Sequence, residues 1–123
     1  MTETLAGARV LILEDEFFLA DDLARALRDA GGEPVGPVAT IEQAEKILAR
    51  ERLDGAILDL NLRGEMASDF AERLAARELP CVIVSGYGED GLPDPLTRLR
   101  RLEKPVSAPA VMEALKGELA RAA

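Results

Sequence analysis

Residues 9–16 have the sequence RVLILEDE, which is the clearest indication of the fold in this chain. A short run of Val, Leu and Ile that turns abruptly acidic is typical of a strand buried on both faces and ending at a polar rim. Such strands occur in parallel sheets that are covered by helices. We therefore expect residues 9–13 to form a central strand that delivers Glu14 and Asp15 to the rim of the sheet.

Three more apolar regions are each followed by one chemically active side chain. Asp59 follows AIL, Ser85 follows VIV, and Lys104 stands before a proline near the end of the chain. Because the carboxyl ends of parallel strands meet at one rim, these groups can share a pocket with Glu14 and Asp15. Crowded carboxylates repel one another unless a divalent cation neutralises them, and a hydroxyl and an ammonium suit phosphoryl oxygens. The pattern predicts a phosphoryl-transfer site built around an aspartate.

Strands and helices alternate along the chain. Thr40 and Gln43 are expected to form a capping box at the start of one helix, and residues 61–65 are expected to form a loop. The alternation predicts an α/β fold with a doubly wound parallel sheet of five strands in the order 2-1-3-4-5, flavodoxin-like, with helices on both faces. The predicted strands are Arg9–Leu13, Pro34–Val38, Gly55–Leu60, Cys81–Val84 and a strand within Arg98–Glu103.

Length and composition exclude several classes of protein. The 123 residues fit one domain, 1–123, with no output domain, and the net charge of -8 argues against a nucleic-acid-binding surface. No apolar run approaches the ~20 residues of a membrane span and the N-terminus has no signal-peptide pattern, so we expect a cytoplasmic protein without membrane contact. The single cysteine, Cys81, is expected to be a buried thiol without redox function. Histidine is absent, so any phosphohistidine donor belongs to a partner.

The segments VLILEDE, LDLNLRGE, VSGYG and EKPV occur in this order along the chain. With them the chain resembles the receiver domain of two-component response regulators over essentially its whole length. The resemblance implies that Asp59 accepts a phosphoryl group from a histidine kinase or a histidine phosphotransfer protein, while Ser85 and Lys104 stabilise charge on the phosphoryl oxygens. Such a protein catalyses its own phosphorylation and dephosphorylation rather than the turnover of a separate substrate. It then signals to a downstream protein or serves as a phosphate sink.

The resemblance also implies a Mg²⁺ site at the same rim. Asp15 would be a direct ligand, Glu14 a ligand through water, Asp59 a further ligand, and Asn61 a ligand through its backbone carbonyl. This set suits Mg²⁺, which takes a few oxygen ligands and keeps several waters. The family further implies a cis peptide before Pro105.

One position departs from the common receiver pattern. Most receivers carry Tyr or Phe three residues before the lysine, where this chain has Arg101. Together with SGYG at residues 85–88, this departure resembles the subgroup of single-domain receivers named for a Phe-Ala-Thr-Gly-x-Tyr motif. Tyr87 would then share the signalling role or gate water, or it would simply pack against the next helix.

The stretch Gly86–Pro95 contains three glycines and two prolines, which oppose a stable helix. We expect a short or mobile element there that phosphorylation orders. Arg98, Arg100 and Arg101 lie nearby, and they either contact an acidic partner or protect a sheet edge.

Three other interpretations remain open at this stage. An FMN-binding electron carrier of similar fold would need a Ser/Thr/Gly phosphate loop after the first strand, where this chain is acidic. A small Mg²⁺-dependent phosphohydrolase would need a second acid near the nucleophile and a substrate cap. A non-phosphorylated pseudo-receiver would act only as an interaction module, although every acidic and phosphate-contacting position is filled here.

Overall fold

The structure is a computed structural model that describes residues 5–86 and 99–122. The strands are β1 Arg9–Leu13, β2 Glu33–Val38, β3 Gly55–Asp59, β4 Asn61–Leu62, β5 Glu65–Met66, β6 Cys81–Ser85 and β7 Arg100–Glu103. The helices are α1 Phe17–Asp29, α2 Ile41–Arg50, α3 Ser68–Ala76 and α4 Ala108–Ala122. Each of the five predicted strands is present, and in the four strands with stated bounds the ends shift by at most one residue.

Five parallel strands form the main sheet in the order β2-β1-β3-β6-β7. This is the order predicted from the sequence, with the short strands β4 and β5 left out of the count. Strand β2 is therefore added on one side of β1, and the later strands are added on the other side, beginning with β3. A crevice opens beyond the carboxyl ends of strands at such a change of side.

The central strands are apolar throughout because they are covered on both faces. Leu11 and Leu13 of β1 face a cluster that α2 and α3 complete, whereas Val10 and Ile12 face a cluster that α1 and α4 complete. These four side chains are completely buried. Continuous burial on both faces explains why β1 reads as an uninterrupted apolar run rather than an alternating one.

The outer strands of the described sheet are β2 and β7. Pro34 and Pro37 lie in β2, and prolines are tolerated in an edge strand because one side of that strand needs no N–H donors. Strand β7 is short and carries Arg100 and Arg101. Both strands pair with a neighbour on one side only within this sheet.

Local signals define the helix ends as expected. The Thr40 hydroxyl accepts a hydrogen bond from the backbone N–H of Gln43, whose side chain in turn accepts one from the Thr40 N–H, so the predicted capping box is confirmed. Helix α4 begins after Ser107, whose hydroxyl accepts from the Ala110 N–H at 3.2 Å. Among the helices that the structure describes, none has the length and apolar character needed to cross a membrane.

The segment after β3 differs from the expected loop. Strands β4 and β5 pair as a small antiparallel hairpin. Its turn contains Arg63 at φ 54° and Gly64 at φ 92°, and the Asn61 side-chain oxygen accepts a hydrogen bond from the Gly64 N–H at 2.8 Å. A two-residue turn with two positive φ values matches the twist of a tight β-hairpin.

Candidate functional site

The carboxylates of the site are delivered by the two central strands. Strands β1 and β3 pair with Leu13 opposite Leu58, so Glu14 and Asp59 emerge side by side at the same rim. Each is only 3 % exposed. Oxygen atoms of Glu14, Asp15 and Asp59 all lie within 4.8 Å of one another.

Lys104 occupies the centre of this acidic group. Its Nζ lies 3.2 Å from Glu14 Oε2 and 3.0 Å from Asp59 Oδ2, and it also contacts the Glu16 carboxylate. The backbone helps to place the side chain, because the Lys104 N–H donates to the Ser85 carbonyl at 2.7 Å. The peptide between Lys104 and Pro105 is cis. One ammonium is thus shared by three carboxylates.

Backbone amides fix the two buried carboxylates. The Asn61 N–H donates to Asp59 Oδ1 at 3.0 Å, while Lys104 binds the other Asp59 oxygen. The Glu16 N–H donates to Glu14 Oε2, also at 3.0 Å. Both oxygens of Asp59 therefore have a donor, which holds the plane of the carboxylate in one orientation.

Burial makes the negative charge of this site costly. It raises the pKa of Glu14 to about 7, an effect that the Asp59 charge adds to and that the Glu16 N–H and Lys104 oppose. Burial also raises the pKa of Asp59, against the hydrogen bonds from Asn61 and Lys104. For Lys104, burial alone would lower the pKa, but the hydrogen bonds to Glu16 and Asp59 raise it overall. The ammonium is the only positive side chain within hydrogen-bonding distance of Asp59 among the described residues.

Two arginines reach the same rim from different elements. Arg63, in the hairpin turn, places its Nε 3.3 Å from Asp15 Oδ2, although its side chain is 84 % exposed. Arg101, on β7, donates from Nε to the hydroxyl of the fully buried Ser85 at 2.9 Å. The residue that replaces the usual aromatic ring therefore contacts a predicted phosphoryl-binding group directly.

The structure brings the predicted groups together. Asp59, Lys104 and the acidic pair after β1 form one cluster, and Ser85 lies at the end of β6 beside them. Tyr87, most of Gly86–Pro95 and Arg98 lie outside the described residues, so the expectations for them stay predictions.

Sequence reasoning missed the part that Glu16 plays. Glu16 occupies the position before α1. Its side chain makes no capping hydrogen bond and reaches Lys104 instead. Three consecutive acidic residues after β1 were the available signal, but spacing alone does not tell which of them turns toward a lysine far along the chain.

The donor set fits a hard divalent cation. Glu14, Asp15 and Asp59 offer only oxygen atoms, and Asn61, two residues after Asp59, adds a backbone carbonyl to the same segment. All-oxygen sets of this size are typical of Mg²⁺. A cation would also balance the carboxylates whose pKa values burial raises.

Comparison with known proteins agrees with this geometry. The solution structure of SdrG from Sphingomonas melonis Fr1 matches with a TM-score of 0.78 and 35 % identity, covering 98 % of this chain and 99 % of that one. The signal receiver domain of a putative LuxO repressor protein from Vibrio parahaemolyticus matches with a TM-score of 0.79 and 26 % identity, covering 94 % of this chain and 92 % of that one. No family model matches the chain.

A curated relative extends the comparison to sequence. The transcriptional regulatory protein PdtaR of Mycobacterium tuberculosis is 31 % identical over 85 residues, which cover 68 % of this chain and 42 % of PdtaR. The chain thus matches less than half of this longer relative. With the receiver-domain structures and the shared fold, these matches show that the chain belongs to the receiver-domain family of two-component response regulators.

Proposed function

We propose that this chain is a response-regulator receiver that accepts a phosphoryl group on Asp59 from a histidine kinase or a histidine phosphotransfer protein. The setting of Asp59 supports this most directly. It is a buried carboxylate 3.0 Å from the Lys104 ammonium, with the oxygens of two further acids within 4.8 Å. Carboxylates are rarely buried in such a group without a function that needs them, because each one loses hydration.

In the proposed reaction an oxygen of Asp59 attacks the phosphorus of a phosphohistidine. The O–P bond forms as the P–N bond breaks, and the imidazole leaves with the bonding electrons and takes up a proton. Lys104 neutralises charge on the phosphoryl oxygens, since its ammonium already lies beside the attacking carboxylate. The Ser85 hydroxyl donates a second hydrogen bond to those oxygens.

The product is an acyl phosphate with a limited lifetime. Water later attacks the phosphorus, releasing inorganic phosphate and restoring the Asp59 carboxylate. The protein therefore catalyses changes of its own state rather than the turnover of a separate substrate. Before hydrolysis, the phosphorylated form either binds a downstream protein or removes phosphoryl groups from the kinase as a sink.

Mg²⁺ belongs to this proposal as a cofactor. Glu14, Asp15 and Asp59 would hold it, together with the backbone carbonyl of Asn61. When bound, it supplies positive charge that balances the carboxylates and the phosphoryl oxygens. Without the cation, burial raises the pKa of Glu14 to about 7, so the charged carboxylate is less favoured than in an ordinary glutamate.

Intact mass spectrometry after incubation with acetyl phosphate tests the proposal. We expect a phosphoryl adduct on the wild type that requires Mg²⁺ and that Asp59→Asn abolishes. Asp69→Asn, which makes the same charge change at an exposed position on α3, should leave the adduct intact. An adduct that persists in Asp59→Asn would overturn the assignment of the acceptor.

The same assay separates the alternatives. No adduct on the wild type with acetyl phosphate or with a phosphorylated histidine phosphotransfer protein would favour a pseudo-receiver. Repeated turnover of an unactivated phosphate ester would favour a phosphohydrolase.

A further inference from the structure

The hydrogen bond between Arg101 and Ser85 links the outermost described strand to the phosphoryl-transfer site. Ser85 ends β6 and is completely buried, whereas Arg101 lies on β7 and is exposed overall. The two strands pair with Ile83 opposite Arg101 and with Ser85 opposite Glu103, so Arg101 and Ser85 are diagonal neighbours on one face of the sheet. The Nε–Oγ distance is 2.9 Å.

The direction of this hydrogen bond follows from the chemistry of the two groups. A guanidinium has only donors and keeps its charge at any ordinary pH, so the Ser85 oxygen has to be the acceptor. A hydroxyl carries one proton besides its acceptor positions. Because Arg101 approaches a lone pair, the hydroxyl proton of Ser85 is directed away from Arg101.

We infer that Arg101 is a positioning residue for phosphoryl transfer, which holds the Ser85 hydroxyl so that its proton is donated to a phosphoryl oxygen on Asp59. This inference rests on the proposed function of Asp59. A charged donor on the oxygen of Ser85 polarises its O–H bond, and hydrogen bonds in a chain strengthen one another. Arg101 itself need not touch the phosphoryl group.

The backbone around Ser85 supports a fixed orientation. The Ser85 carbonyl accepts a hydrogen bond from the Lys104 N–H at 2.7 Å, which ties β6 to the residue that carries the ammonium. Ser85 is thus held by its main chain on the Lys104 side and by its hydroxyl on the Arg101 side. Loss of Arg101 would leave the hydroxyl free to rotate.

The test measures the rate of Mg²⁺-dependent adduct formation with acetyl phosphate in Arg101→Ala, Ser85→Ala and the double variant. We expect each single variant to react about tenfold more slowly than the wild type, a loss of about 1.4 kcal/mol of transition-state stabilisation. The double variant should react no more slowly than Ser85→Ala, because Arg101 acts only through the hydroxyl.

The chain offers a matched control in Arg100→Ala. Arg100 is the preceding residue on β7, and it lines a groove against Ala110 and Ala114 of α4, on the other face of the sheet. Arg100→Ala changes the net charge by the same amount as Arg101→Ala but removes no contact with Ser85. We expect its reaction rate to stay within about twofold of the wild type, since exposed charges contribute little.

A second measurement does not depend on reactivity. The Nε–H resonance of Arg101 in the nitrogen-15 spectrum should shift on Ser85→Ala and again when the wild type carries the acyl phosphate. A purely structural arginine would not respond to the phosphoryl group. Absence of both shifts would overturn the inference.

The outcomes separate this inference from the proposed function. If the wild type forms no adduct, the proposed function fails, and this inference fails with it. If the wild type reacts and Arg101→Ala matches Arg100→Ala, only the role of Arg101 is overturned. Multiplicative losses in the double variant would also overturn it, because Arg101 would then act independently of Ser85.

Discussion

The Glu16 carboxylate contacts the Lys104 ammonium across 88 positions of sequence. The side chain of Glu16 is 60 % exposed and that of Lys104 is 18 % exposed, so this contact lies on the solvent side of the pocket. The Glu16 carbonyl meanwhile accepts the first backbone hydrogen bond of α1, from Ala20 at 2.9 Å. One residue therefore begins a helix with its main chain and restrains the site lysine with its side chain.

Replacing Glu16 by Gln should speed phosphorylation. The carboxylate competes with phosphoryl oxygens for Lys104, and its charge repels an anionic donor. Because an exposed ion pair contributes about 0.2–1 kcal/mol, we expect adduct formation with acetyl phosphate to be about two- to fivefold faster. Asp22→Asn provides the control, since Asp22 lines the same recess as Glu16 and Lys104. Slower reaction in Glu16→Gln would show that Glu16 positions Lys104 productively.

In the metal-free protein, the contribution of Glu14 to stability should fall as the pH rises. Burial raises the pKa of Glu14 from 4.5 to about 7, so between these values the folded protein keeps a proton that the unfolded chain releases. The stabilising contribution is complete below pH 4.5 and is lost as the pH rises through about 7. Asp59, whose pKa is also raised, contributes with the same sign.

Urea unfolding in the presence of a chelator measures this dependence. We subtract the free energy of unfolding of Glu14→Gln from that of the wild type and expect this difference to fall with rising pH. The slope of the fall should correspond to at most about one proton. Parallel pH profiles for the two proteins would contradict the raised pKa. Added Mg²⁺ should flatten the wild-type profile, because the cation stabilises the carboxylate form.

Replacing Arg63 by Asn should tighten Mg²⁺ binding. Arg63 places a positive charge 3.3 Å from Asp15 Oδ2, but its exposure leaves that charge well screened. We expect the dissociation constant for Mg²⁺ to fall about two- to threefold in calorimetric titrations, with stability unchanged or slightly higher because Asn tolerates the positive φ. Arg52→Asn is the control, because it makes the same charge change as Arg63→Asn but does so beside Asp54, away from the carboxylate cluster. Weaker Mg²⁺ binding in Arg63→Asn would mean that the arginine organises the site instead.

Cys81 should be inert in the folded protein. Its side chain is buried, and burial raises the pKa of the thiol from 9.0 to about 12. The thiolate fraction at neutral pH is then about a thousandfold below that of an ordinary cysteine. A thiol reagent should react slowly with native protein and promptly in denaturant. Rapid stoichiometric labelling of the native protein would restore a redox role to consideration.

Much of the fold could be predicted because its signals are local. The apolar run of β1 and the capping box at Thr40 and Gln43 each depend on residues within a few positions. The alternation of strands and helices predicted a doubly wound parallel sheet, and the order 2-1-3-4-5 is one of the common orders of such sheets. Residues at the ends of buried parallel strands could then be assigned to one rim without knowledge of any side-chain contact.

The contacts inside the pocket could not be predicted in the same way. Arg63 lies close to Asp15 because a hairpin forms after β3. The turn of this hairpin places Arg63 at a positive φ, which the presence of an arginine does not predict. Arg101 was recognised as a departure from the family, but its hydrogen bond to Ser85 depends on the register between β6 and β7. Such pairings arise from tertiary geometry, which spacing along the chain does not encode.

The two outer strands have a consequence for behaviour in concentrated solution. An open strand edge can act as a template on which another chain adds, and this leads to growing aggregates. The prolines of β2 remove N–H donors that an added strand would need. At β7, a second copy of the strand would bring its arginines close to Arg100 and Arg101, and the like charges would repel. Both margins of the described sheet therefore carry features that oppose templated growth.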